Sequence, residues 1–68
     1  MEAYIILYEL DGQDKRMNFN SAAHPHNAVI EEAIAYLNAE MAMQGIDPNR
    51  YRFVHVILES IIIFQYPV

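Results

Sequence analysis

Apolar and polar positions alternate, cluster and alternate again along the chain, in a pattern that predicts strand, strand, helix, strand. Ala3-Tyr-Ile-Ile-Leu-Tyr-Glu-Leu10 reads as a first strand. Successive strand residues point to opposite sides, so Tyr4, Ile6 and Tyr8 share one face and Ile5 and Leu7 the other. Both faces are apolar, which places the strand in the middle of a sheet with cover on each side. Asp11-Gly12 is a turn signal, because Gly accepts positive φ without steric cost. The return strand spans about Lys15 to Asn20, with Met17 and Phe19 on one side and Arg16, Asn18 and Asn20 on the other. One wet face suits an edge strand.

A helix is expected from about Pro25 to Gln44, with Pro25 as its first residue, where a missing N–H costs nothing. At 100° per residue, Ile30, Ala33, Ile34, Leu37 and Met41 gather in one sector, the expected core face. Ala28, Ala35, Ala39 and Ala42 lie opposite. Small residues there suit either helix propensity alone or close approach of a second helix. Gly45 is the expected stop, with Ile46 folding back on Met41 in a Schellman end. Asp47-Pro48-Asn49 then reads as a type I turn.

The last stretch, Tyr51 to Tyr66, is dense in β-branched and aromatic residues and contains neither Gly nor internal Pro. Sixteen extended residues span roughly 53 Å, against a radius of gyration of about 11 Å for a compact chain of this size. Two solutions follow. Either the strand bends at a bulge near Ser60 and its second half pairs with another molecule, or it reverses at Glu59-Ser60 so that Ile61 to Tyr66 form a fourth strand. Neither Glu nor Ser favours a tight reversal, so the bulge is the preferred reading.

The fold class is therefore α+β: a small ββαβ(β) domain whose mixed or antiparallel sheet has order 2-1-3, with one helix on one face. That helix leaves a second sheet face bare. The expectation is that Tyr4, Ile6 and Tyr8 lie on it and form a homodimer interface together with Ile57, Ile61, Ile62, Ile63, Phe64 and Tyr66. Burying six apolar residues at about 1.5 to 3 kcal/mol each rivals the whole stability of so small a domain.

Composition strengthens that expectation. The chain has 68 residues, 54% of them hydrophobic, and no Cys, so disulfides cannot staple a thin core and association is the remaining device. Four Lys or Arg stand against nine Asp or Glu, a net charge of −5. Such a field repels phosphate, which argues against nucleic acid and anionic membrane and allows a basic protein partner. The C-terminal apolar run is interrupted and too short to span a bilayer. No secretory signal is visible at Met-Glu-Ala-Tyr, so a cytoplasmic location is expected.

Little in the sequence points to chemistry. His24 and His26 bracket Pro25 and His55 lies in the last strand, so a ligand or metal site using His24 and His26 at a subunit interface is the alternative function. Their spacing matches no zinc motif. Glu31-Glu32 are adjacent on the helix and cannot converge as acid and base. Lys15, Arg16, Arg50 and Arg52 fall at the same sheet end as Glu9, Asp11, Asp14 and Asp47, which predicts surface ion pairs and no basic patch. No phosphate loop, activated nucleophile or cofactor motif is present. The expected function is that of a non-enzymatic interaction or regulatory protein acting as a homodimer without a cofactor.

Overall fold

Asp11 and Gly12 turn the chain with φ of 52° and 80°, the two successive positive values that a two-residue hairpin loop requires. The computed structural model describes residues 1–60. Around that turn, β1 (Glu2–Leu10) pairs with β2 (Gln13–Ser21) from Leu10 opposite Gln13 to Glu2 opposite Ser21. The tight loop starts the ladder at once, which is why β2 is longer than its alternating residues suggest. β3 (Tyr51–Leu58) lies antiparallel on the other side of β1, giving the expected order β2-β1-β3.

A bulge interrupts the second ladder, between Leu7 paired with His55 and Tyr8 paired with Phe53. Val54 is the extra residue. The bulge expected near Ser60 is found farther back, and β3 ends at Leu58 opposite Tyr4, with Ala3 and Glu2 of β1 extending past it. Glu59 and Ser60 are helical, a correction to the bulged continuation of the strand expected there. The expected continuation through Ile61, Ile62, Ile63, Phe64 and Tyr66 lies outside the described residues.

The long helix, α1 (His26–Met43), begins one residue later than expected. Pro25 has ψ of −170°, so it is still extended and acts as the cap, its carbonyl accepting from the N–H groups of Ala28 and Val29 at 2.9 and 3.4 Å. At the other end Gly45 has φ of 71°. The Ile46 N–H donates to the Met41 carbonyl and the Gly45 N–H to that of Ala42, the paired bonds of the Schellman end. Asp47 then caps a short 3-10 turn, Pro48–Arg50, its carboxylate accepting from the Asn49 N–H at 2.8 Å.

The helix packs on the face that carries Tyr4, Ile6 and Tyr8, together with Phe19 and Val56. This reverses the expected face assignment. Pairing decides it: Tyr4 stands opposite Phe19 and Ile6 opposite Met17, whereas Ile5 and Leu7 stand opposite Asn18 and Arg16. The helix covers the more apolar side. Its buried residues are Val29, Ala33, Leu37 and Met41, one i, i+4 ridge of the kind that packs into a neighbouring surface. Ile34 is off that ridge and 38% exposed, and Ile30 only flanks the core.

Candidate functional site

The sheet face away from the helix is set residue by residue by the ladder. Ile5 lies between Asn18 and Ile57, Leu7 between Arg16 and His55, and Glu9 between Asp14 and Arg52. Cross-strand neighbours share a face, so this side has an apolar strip of Ile5, Leu7 and Ile57 with polar flanks. Ile5 is buried, at 6% exposure, and Leu7 and Ile57 are half-buried. Of the nine residues expected at a dimer interface, Ile57 alone is found on this face among the described residues. Tyr4, Ile6 and Tyr8 are in the core beneath the helix.

Charge is sorted between the two outer surfaces. The sheet face holds Glu9 and Asp14 against Arg16 and Arg52, a balanced set. The helix holds Glu31, Glu32 and Glu40 and no Lys or Arg. Ala35, Ala39 and Ala42 are exposed along it, as are Tyr36 and Met43. Glu31 and Glu32 do not converge: the Ser21 hydroxyl donates to Glu32 Oε1 at 2.8 Å and accepts from the Ala23 N–H at 3.0 Å. Ser21 is buried, so both its hydrogen-bonding roles are satisfied where β2 hands over to the helix. This polar clasp is not visible in the spacing of the sequence.

The expected ion pairs form at the turn end. Arg50 donates to both carboxylate oxygens of Asp11, at 3.0 and 2.7 Å, and the Asp11 N–H donates to the Arg50 carbonyl at 2.8 Å. The guanidinium hydrogen bonds hold the Asp11 carboxyl below the usual carboxylate range and raise Arg50 in turn. Arg52 meets Glu9 at 2.9 Å. Two of the four cations, Arg50 and Arg52, are thereby paired with carboxylates.

His24 and His26 flank Pro25 where the chain enters α1, but the ring that lies against His26 is that of His55, with centroids 6.0 Å apart and planes at 70°. Both rings are exposed. Among the described residues no group of three or more His, Cys, Asp or Glu side chains is placed to hold a metal, and no helix is long and apolar enough to cross a membrane. An open depression of about 220 Å³ is lined by Glu2, Ala3, Glu59 and Ser60. It is smaller than typical small-molecule sites and lined by carboxylates and small side chains. No protein-family model matches the chain, and neither curated proteins nor solved structures give a match.

Proposed function

We propose that this chain is a small, non-enzymatic interaction protein that acts as a homodimer, associating through the sheet face away from the helix. The observation that carries this reading is the charge sorting. Two copies meeting on the balanced face bring an apolar strip together with two carboxylates and two guanidinium groups from each side. Two copies meeting helix to helix would instead oppose the exposed Glu31 and Glu32 of each with no Lys or Arg on the helix to offset them, and like-charge juxtaposition is costly at an interface. Leu7 and Ile57 supply the half-buried apolar surface that a partner would complete. Ile61, Ile62, Ile63, Phe64 and Tyr66 add an uncharged apolar segment from the sequence. In the dimer the helices face outward, and their acidic surface is suited to a basic protein partner.

Light scattering coupled to size exclusion at low micromolar concentration tests the proposal. The expected mass is twice the 7.9 kDa of one chain. A folded species of 7.9 kDa would overturn it.

A further inference from the structure

The contact between His26 and His55 joins two elements that are 29 residues apart in sequence, the first turn of α1 and the bulged edge strand β3. The geometry points to a two-imidazole site for a borderline transition-metal dication, of the Zn²⁺, Ni²⁺ or Cu²⁺ class, whose remaining positions are filled by water. Imidazole nitrogens suit these ions, whereas Mg²⁺ and Ca²⁺ demand oxygen ligands that this corner does not assemble. With metal–nitrogen bonds of about 2.0–2.1 Å, two rings at a tetrahedral angle have centroids about 5 Å apart. From 6.0 Å, side-chain rotation closes the remaining gap.

Three further features suit that role. Both residues are exposed, and His55 lies on the edge strand β3 at the rim of the sheet face proposed for the dimer, so an ion can reach the pair from the side without opening the core. Among the described residues neither imidazole takes part in a side-chain hydrogen bond, so no such bond has to be broken for ligation. The chain's net charge of −5 draws a dication towards its surface, against the modest opposition of the helix N-terminal dipole. Folding creates the pair, because no local spacing brings residues 26 and 55 together in the unfolded chain. An ion held by both therefore binds the native state in preference to the unfolded one and stabilises it.

The experiment uses the full chain, free of any purification tag and stripped with a chelator, titrated with Ni²⁺ in a non-coordinating buffer near neutral pH. A rise in thermal midpoint is expected, lost on acidification as protons displace the metal from the rings. His26→Ala and His55→Ala should each weaken binding at least about tenfold, since losing even an outer-shell support costs that much; His24→Ala should leave it unchanged. In the unaltered protein, paramagnetic Ni²⁺ should broaden the resonances of residues 26 and 55 ahead of those of residue 24. No binding at millimolar Ni²⁺, or a loss on His24→Ala equal to that on His55→Ala, would overturn the assignment.

Discussion

Arg50 grips Asp11 across 39 positions of sequence, with two side-chain hydrogen bonds of 3.0 and 2.7 Å and a backbone bond of 2.8 Å running the other way. The hairpin turn is thereby tied to the start of β3. Both side chains are about half exposed, so the pair's value is in geometry more than in free energy.

Its pH dependence has a definite sign. The Asp11 carboxyl is lowered in the folded protein by its hydrogen bonds from Arg50, so the unfolded chain takes up that proton first as pH falls. The contribution is complete above the ordinary carboxylate range and disappears as pH drops through the lowered folded value. A carboxyl-detected NMR titration should find Asp11 titrating below its ordinary value, and Arg50→Ala should return it upward. Equal titration of Asp11 in the two proteins would contradict the pairing.

The Ser21–Glu32 clasp has a measurable cost of removal. Ser21→Ala removes the partner of the half-buried Ala23 N–H and of the exposed Glu32 carboxylate, which should destabilise the fold by about 0.5–1.5 kcal/mol. Urea unfolding measures it. A double-mutant cycle with Glu32→Ala should show coupling, and strict additivity would mean that the hydrogen bond carries no stability.

Helix orientation gives a third expectation. Val29 is 1% exposed and Ile34 is 38% exposed, although Ile34 is the larger and more apolar side chain. Val29→Ala should cost about 1–3 kcal/mol through lost burial and a residual cavity. Ile34→Ala should cost less than about 1 kcal/mol. The reverse ranking in denaturant midpoints would place the helix a third of a turn away from its described position.

Much of this fold can be read from particular residues. Asp11-Gly12 fixes the hairpin, Gly45 and Ile46 fix the helix end, and the doubly apolar β1 fixes its central place between β2 and β3. What strand alternation alone leaves open is which side of β1 meets the helix. The hairpin settles it: a two-residue loop at positions 11 and 12 sets Tyr4 opposite Phe19 and Ile6 opposite Met17, so that face is apolar on two strands. Using the loop length to set register, and not only to locate the turn, would have recovered it. Ser21 with Glu32 and His26 with His55 depend on how the helix is set over the sheet, which no local period encodes. The end of β3 at Leu58, where Glu59 and Ser60 turn helical, is likewise not signalled by the β-branched composition of the stretch.

Two copies are proposed to meet on the charge-balanced sheet face and not through their helices. Native mass by light scattering, for Leu7→Glu on that face and Ala39→Glu on the outer helix surface, tests it most directly. Leu7→Glu is predicted to run at 7.9 kDa while still folded, and Ala39→Glu at twice that mass. A dimeric Leu7→Glu beside a monomeric Ala39→Glu would contradict the account.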